Sequence, residues 1–275
     1  MRRLKTLLGD HPVTRALKQG SIAAAGLAFD FADVKVPHSA FKRVVRDLEF
    51  DVAELAIMTF LLARAHGKPL KLLPAMLTAR FQHPFIVYNA ERGPLDPRML
   101  NGRRVGQRSY SVTTATWVRG ILAEEYGVDL AKVRWVTFEE PHVAEFRDPP
   151  NVERAPAGKD ITAMLLAGEL DAAIVGEPPK DARIKTLIPD PAAAGEAWGK
   201  KHGAIQINHM VAIKQDCADA DEIYRLLLES RRAAGNPQMN PFGVAENRRN
   251  LEAAIGCIYR QGMIPRRFDI EELLQ

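Results

Sequence analysis

The stretch RRVGQRSYSVTTATWVRGILAEEYG at residues 103–127 gives the clearest indication of the fold. Its first five residues predict a short strand, residues 108–112 form a polar loop, and residues 113–126 have the length of a helix. Gly127 is expected to end that helix, because glycine readily adopts the left-handed conformation found after a last helical turn. A strand that leads directly into a helix is the repeating unit of sheets with parallel strands.

The same alternation continues on both sides of this stretch. Short apolar segments predict strands at residues 4–9, 27–31, 52–57, 72–77, 133–138 and 172–176. Apolar residues at helical spacing predict helices at residues 40–48, 59–66, 161–170, 219–234 and 246–261. The chain is therefore predicted to be an α/β protein whose sheets are mainly parallel and flanked by helices. Ligands of such folds bind at the carboxyl ends of strands.

Composition excludes several other classes of protein. The chain has 275 residues, of which 47% are hydrophobic, so it can build a core and is not a disordered protein. The longest apolar run, residues 53–65, contains Glu54 and Arg64 and is shorter than the roughly 20 residues of a membrane span. Only Cys217 and Cys257 are present, which provides neither a disulfide framework nor a zinc motif.

The start of the chain lacks the three-part pattern of a secretory signal. A cytoplasmic protein is therefore expected, or a periplasmic one if a leader has been removed. The formal charge of +4 is spread along the chain, and no nucleic-acid-binding motif accompanies it. This charge suits a small anionic ligand better than a nucleic acid. A homo-oligomer is compatible with these features.

The loop after the 103–107 strand is a candidate anion site. A helix N-terminus offers free N–H groups and a partial positive charge, both of which favour a carboxylate or a phosphate. The side chains that could bind such a group are Arg108, Ser109, Tyr110, Ser111, Thr113 and Thr114. The alternative is ordinary capping of the helix by Thr113 or Ser111.

Two polar residues interrupt apolar strands elsewhere. Glu54 lies within VAELAI at residues 52–57, and His209 lies within INHM at residues 207–210. A buried carboxylate is costly unless it is paired or protonated, so Glu54 is a candidate site residue. For Glu54 the alternative is a strand-end carboxylate that faces solvent or pairs with a nearby arginine. For His209 the alternative is a core histidine with satisfied hydrogen bonds.

Several motifs together are similar to one known family. They are FDVAEL (50–55), LNGRRVG (100–106), MLLAGELDA (164–172), DHPVTRAL (10–17), ARFQH (79–83) and Asn247-Arg248. Their order and spacing resemble the 4,5-dihydroxyphthalate decarboxylase-like family, a branch of the type II periplasmic-binding-protein superfamily. The chain departs from that family by being shorter between Ala234 and Pro241, and by having His11-Pro12 where the family tends to have Tyr-Asp.

The resemblance implies a fold of two α/β lobes joined by two crossings, with a ligand cleft between them. Combined with the Gly/Pro-rich stretch at residues 91–97 and with Gly203, it predicts lobe one at 1–92 plus 204–275 and lobe two at 93–203. It also implies site roles for Thr14 and Arg15 in the first loop, and for Arg80 and His83 in a loop of lobe one.

Two functions follow as hypotheses. The first is decarboxylation of a hydroxylated aromatic acid, with His83 or His209 as the general acid and with Glu54 either orienting that histidine or accepting a proton from a ring hydroxyl. In that hypothesis the substrate is bound by Thr14, Arg15, Arg80, Arg108, Ser109, Tyr110, Ser111, Thr113 and Thr114. No cofactor is predicted, although Glu54, His83 and His209 could in principle hold a divalent metal ion. The alternative is a non-catalytic solute-binding protein for a small carboxylate, because a fold alone does not decide function.

Overall fold

The structure, a computed structural model, describes residues 1–275 as a set of alternating strands and helices. The strands are β1 (Arg2–Leu7), β2 (Leu27–Phe31), β3 (Val52–Ala56), β4 (Leu70–Ala79), β5 (Ile86–Asn89), β6 (Arg104–Gln107), β7 (Arg134–Thr137), β8 (Val152–Arg154), β9 (Ala172–Ile174), β10 (Ile184–Thr186) and β11 (Ile207–Lys214). The helices are α1 (Pro12–Lys18), α2 (Phe41–Arg46), α3 (Ile57–Ala65), α4 (Thr113–Tyr126), α5 (Ile161–Ala167), α6 (Pro191–His202), α7 (Ala220–Ala233), α8 (Val244–Arg260) and α9 (Ile270–Leu273).

The chain forms two compact units. Unit 1 comprises residues 1–80, 142–144 and 205–275, and unit 2 comprises residues 81–141 and 145–204. The sequence placed the first boundary after residue 92, but the structure places it after residue 80. The reason is that β5 pairs with β9 and β10, so the chain has already joined the sheet of unit 2 before it reaches the Gly/Pro-rich stretch.

Unit 1 is built on a five-stranded sheet in the order β2-β1-β3-β11-β4. β1 runs parallel to β2 and β3, whereas β11 runs antiparallel to β3 and β4. β3 therefore lies between β1 and β11, and all five of its residues are buried. The loop after β1 therefore runs beside the second half of β3, toward the carboxyl ends of the parallel strands, where ligands of α/β sheets bind.

Unit 2 is built on a six-stranded sheet in the order β10-β5-β9-β6-β7-β8. β6, β7, β8 and β9 form its parallel part, and β5 and β10 are antiparallel to their neighbours. The predicted unit at residues 103–127 is confirmed, because β6 leads into α4, which ends at Gly127 with φ of +65°. Parallel pairs account for five of the nine strand pairings in the two sheets.

The helices cover the sheets with their apolar sides. In α7, Ile223, Leu226, Leu227 and Ser230 are buried, a spacing of three and four residues that gives one face of a helix. That face joins the core formed by β1, β3, β4, β11 and α1. None of the helices combines the length and the apolarity that a membrane crossing requires.

Candidate active site

A buried carboxylate with three hydrogen-bond donors lies in unit 1. Glu54 is 1% exposed. Its Oε2 accepts from the backbone N–H of Gly9 and from His11 Nε2, each at 2.8 Å, and its Oε1 accepts from His209 Nδ1 at 2.6 Å. Burial alone would raise the pKa of Glu54, but the hydrogen bonds from His11 and His209 outweigh burial and hold that pKa well below its usual range. Glu54 is therefore ionised, and an ionised carboxylate only accepts, so each of the two facing imidazole nitrogens carries its hydrogen.

The strand register explains why these groups meet. Leu7 of β1 pairs with Ala53 of β3, so the chain that leaves β1 passes beside Glu54. On the other side of β3, Val211 of β11 lies opposite Glu54, and His209 lies two residues before Val211 on the same face. The ladder between β11 and β4 changes register on both sides of His209. Such irregularities commonly re-aim a side chain at a functional site.

Gly9 is required by the close approach of these groups. A Cβ atom at position 9 would lie 2.6 Å from His11 Nε2 and 2.9 Å from Glu54 Oε2. Both distances are shorter than a real contact, so any side chain there would displace the imidazole. The backbone of Gly9 has no positive φ, so space rather than backbone conformation makes glycine necessary.

Thr14 braces the loop that carries His11. Its side chain is fully buried; its Oγ1 donates to the carbonyl of Gly9 at 2.7 Å and accepts from the backbone N–H of His11 at 3.0 Å. The sequence predicted Thr14 as a substrate-binding residue. The structure instead uses its single hydroxyl hydrogen within the loop.

The outward nitrogens of both imidazoles face away from Glu54. His209 Nε2 makes no hydrogen bond within the chain, whereas the His11 side chain also faces the backbone N–H of Thr14 in the capping box that begins α1. The His11 and His209 side chains are 23% and 16% exposed, respectively. The edge-to-face contact with Phe41, at 5.2 Å between ring centroids, supports the imidazole of His209. His11 was not predicted as a site residue, because it lies in the polar loop between β1 and α1, where no local pattern distinguishes it.

Two predicted arginines occupy different surroundings in unit 1. Arg15 is half exposed and its Nε donates to Asp10 Oδ1 at 3.0 Å, so it is a surface residue beside the loop. Arg80 directly follows β4, is partly buried, and donates its backbone N–H to the carbonyl of Gln206 at 3.2 Å.

His83 lies in unit 2 and not in a loop of lobe one. Its side chain has no exposed surface, neither ring nitrogen has a hydrogen-bond partner, and burial lowers the pKa of His83 to about 4. Its Nε2 is 3.9 Å from Glu125 Oε2. At neutral pH it is therefore an uncharged core imidazole, and this placement does not favour a proton donor.

The predicted anion loop opens α4 in unit 2. The N-cap residue is Val112, whose side chain cannot accept a hydrogen bond from the first helical turn. Ser109 is fully buried, and its Oγ has no hydrogen-bond partner. Ser111 and Thr113 are also buried, while Thr114 is partly exposed. Arg108 is 37% exposed, with its Nε 3.8 Å from Glu139 Oε2.

Tyr110 is buried in unit 2, where its ring packs against a buried arginine that the sequence analysis did not identify. Arg119 of α4 has no exposed surface, and its guanidinium carbon lies 3.7 Å from the centre of the Tyr110 ring. Arg119 also donates to Gln107 Oε1 at 2.7 Å. The Tyr110 ring is thus held by a cation–π contact with Arg119.

Glu54, His83 and His209 do not form a metal-binding group in the structure, and both oxygens of Glu54 already accept hydrogen bonds. No other group of at least three His, Cys, Asp or Glu side chains within residues 1–275 has a metal-binding arrangement.

Comparison with solved structures first defines the fold class. The alkanesulfonate-binding protein SsuA from Xanthomonas axonopodis pv. citri has a TM-score of 0.64 at 14% identity, covering 99% of this chain and 98% of that chain. The periplasmic aliphatic sulphonate-binding protein SsuA from Escherichia coli has a TM-score of 0.59 at 12% identity, covering 100% and 92%. These similarities confirm the predicted periplasmic-binding-protein-like α/β fold.

Two curated proteins are similar to this chain in sequence. The 4,5-dihydroxyphthalate decarboxylase of Comamonas testosteroni is 28% identical over 230 residues, which cover 79% of this chain and 69% of that protein. The 4,5-dihydroxyphthalate decarboxylase of Pseudomonas putida is 29% identical over 208 residues, covering 71% and 80%. The predicted resemblance to these decarboxylases is confirmed. No protein-family model matches the chain.

Proposed function

We propose that this chain is a decarboxylase of a small hydroxylated aromatic acid of the 4,5-dihydroxyphthalate kind. The observation that carries the proposal is the ionised, buried Glu54 hydrogen-bonded to His209, whose other nitrogen faces outward. The similarity to two 4,5-dihydroxyphthalate decarboxylases supplies the reaction class.

His209 is the proton donor in this proposal. Its Nδ1 hydrogen is held by Glu54, so its Nε2 is the nitrogen that can transfer a proton to the ring carbon bearing the leaving carboxylate. The negative charge of Glu54 stabilises the imidazolium, as the carboxylate of a catalytic triad does. The proton replaces CO2 on the ring, and His209 regains a proton from solvent. His83 takes no part, because it is buried and uncharged.

We propose that the start of α4 binds a carboxylate of the substrate. The first-turn N–H groups of a helix and the helix dipole favour an anion, and the side chain of Val112 does not cap this helix. The buried Ser109 hydroxyl, which has no hydrogen-bond partner, supports this assignment, because such a group normally has one. The other residues proposed to bind this carboxylate are Arg108, Ser111, Thr113 and Thr114.

Arg80 is proposed as a further contact for the anionic substrate. It is partly buried at the end of β4, whereas Arg15 is paired with Asp10 at the surface and contributes charge only at longer range. Tyr110 is proposed to shape the loop from inside rather than to bind substrate, because its ring is held by Arg119. Thr14 contributes by bracing the His11 loop.

The proposed chemistry uses side chains and no metal ion, because the oxygens of Glu54 are already engaged by three N–H donors. The test is CO2 release from a panel of hydroxylated benzoates and phthalates, measured beside the melting temperature of the same samples. A decarboxylase releases CO2 from at least one compound, and the His209→Gln variant releases it at least about 100-fold more slowly. A raised melting temperature with no CO2 would instead indicate a solute-binding protein.

A further inference from the structure

We infer that Gln107, the last residue of β6, is a further substrate-binding residue, and that it binds the carboxylate that remains on the ring when CO2 leaves. This inference rests on the proposed function and deepens it, because it says which carboxylate lies at the start of α4. It is carried by a fully buried amide group whose nitrogen has no hydrogen-bond partner.

Arg119 fixes the orientation of the Gln107 amide. The guanidinium of Arg119 donates from Nη1 to Gln107 Oε1 at 2.7 Å. Arginine can only donate, so it faces the oxygen of the amide and not the nitrogen. Arg119 is itself held by the Tyr110 ring, 3.7 Å from the guanidinium carbon, and by Thr116 Oγ1 at 3.3 Å. The two hydrogens of Gln107 Nε2 therefore point away from Arg119, and they bond to no atom of the chain.

Gln107 and Ser109 share one side of the segment that leads into α4. The carbonyl of Arg108 accepts from two successive backbone N–H groups that follow β7, so the chain stays extended beyond the end of β6. Side chains two residues apart in an extended segment point to the same side. For Gln107 that side is the one covered by α4, because Arg119 of α4 reaches it. The amide nitrogen and the Ser109 hydroxyl are thus two buried donors without partners on the side of α4.

Two such donors are expected to serve a ligand. A buried polar group without a hydrogen bond is costly, so native proteins rarely keep one. Here two lie close together in the sequence, directly before a helix that the side chain of its N-cap residue, Val112, does not cap. A ligand at this position must accept several hydrogen bonds at once, and a carboxylate does so with its two oxygens.

The chemistry of decarboxylation decides which carboxylate fits. The leaving carboxylate gives up its negative charge as the C–C bond breaks and becomes neutral CO2, while a proton takes its place on the ring. Donors bound to that carboxylate would stabilise the ground state more than the transition state and would slow the reaction. The other carboxylate keeps its charge throughout, so the same donors bind it equally well in both states. Gln107 and Ser109 are therefore assigned to the carboxylate that remains.

This assignment predicts a preference for ring acids with two carboxylates. The monocarboxylate 3,4-dihydroxybenzoate, which 4,5-dihydroxyphthalate becomes on losing CO2, would place its one carboxylate at Gln107 and have none in the leaving position. It should therefore be a competitive inhibitor that releases no CO2.

The experiment measures kinetics and binding in Gln107→Glu, which keeps the shape of the side chain and an oxygen for Arg119 but replaces the donor by a second oxygen. We expect KM for 4,5-dihydroxyphthalate and the Kd of 3,4-dihydroxybenzoate, from calorimetric titration, to rise at least about tenfold. The kcat should stay within about twofold, because an interaction that is equal in the ground state and the transition state does not change it. Inhibition by catechol, which has no carboxylate, should not change. Gln215→Glu is the matched control, because it adds the same charge at an exposed position and should alter none of these values.

Several outcomes would overturn the inference. Unchanged KM and Kd in Gln107→Glu would mean that the amide nitrogen does not contact the substrate. A loss of kcat, or an equal loss of binding for catechol and for 3,4-dihydroxybenzoate, would mean that Gln107 contacts the leaving group or only supports the fold. Should Gln107→Glu not fold, Gln107→Met, which is uncharged and of similar length, must show the same rise in KM and Kd.

These results are distinguishable from failure of the proposed function. A wild-type protein that releases no CO2 from 4,5-dihydroxyphthalate would refute the proposed function, and with it the distinction between a leaving and a remaining carboxylate. A wild-type protein that releases CO2, together with a Gln107→Glu variant that binds 3,4-dihydroxybenzoate as tightly, would refute this inference alone.

Discussion

Replacing Gly9 by alanine tests the geometry of the site with a single methyl group. The added Cβ would lie 2.6 Å from His11 Nε2 and 2.9 Å from Glu54 Oε2. Glu54 is enclosed in β3, whereas His11 is partly exposed, so the His11 ring is the group that must move. The expected result is loss of the hydrogen bond between His11 and Glu54 with the rest of unit 1 intact.

The size of the effect follows from that one interaction. A hydrogen bond to a charged group contributes about 1.5–3 kcal/mol. If this hydrogen bond holds Glu54 in position on His209, its loss lowers kcat by about 10–100-fold, since about 1.4 kcal/mol corresponds to a factor of ten. Stability should fall as well, by about 1–3 kcal/mol, because the lost contact and the crowding exceed the gain of about 0.4–1 kcal/mol from the lower entropy of the unfolded alanine chain.

The assay is the steady-state rate of CO2 release, with thermal unfolding followed in parallel. Gly176→Ala is the matched control, because Gly176 also lacks a positive φ and a Cβ there would meet no atom within 4 Å. The reasoning is refuted if Gly9→Ala keeps the wild-type kcat, or if its activity falls only as far as its folded fraction does.

Three further predictions concern stability, ligand binding and metal ions. Burial lowers the pKa of His83 from 6.5 to about 4, so the unfolded chain gains a proton that the folded chain does not as pH falls from 6.5 to 4. The free energy of unfolding should therefore fall by about 3 kcal/mol because of this group between pH 6.5 and pH 4. In urea titrations, the His83→Phe variant should show a smaller fall, whereas a variant of an exposed histidine, His66→Gln, should show the same fall as the wild type. Ser109→Ala should raise stability by about 1 kcal/mol while KM rises about tenfold, because a buried hydroxyl without a partner is costly unless a ligand uses it; lower stability together with an unchanged KM would contradict this. Dialysis against EDTA should leave CO2 release unchanged, and a loss restored by a divalent metal would show that side chains alone do not suffice.

The strands and helices could be predicted where local patterns carry the information. The segment at residues 103–127 alternates between strand and helix signals, and β6, α4 and Gly127 lie where the sequence placed them. β8 was missed because residues 139–158 are rich in proline and polar residues. That strand forms through backbone pairing with β7, which leaves no apolar periodicity in the sequence.

The candidate site could be predicted only in part. Glu54 and His209 stand out because each is polar within an apolar strand, and the structure brings them together. His11 lies in a loop among other polar residues, so nothing local distinguishes it, and its partner Glu54 is 43 residues away. Arg119 was missed because a long cationic side chain in a helix is usually exposed, whereas here it is fully buried against Tyr110.

The central claim is that Glu54 supports proton transfer to an aromatic ring that loses CO2. The most direct measurement is CO2 release from 4,5-dihydroxyphthalate by the wild-type protein and by Glu54→Gln, with thermal unfolding recorded for both. The account predicts one CO2 for each substrate molecule consumed by the wild type, and a rate at least about 100-fold lower for a folded Glu54→Gln. Absence of CO2 release by the wild type, or full activity in Glu54→Gln, would contradict it.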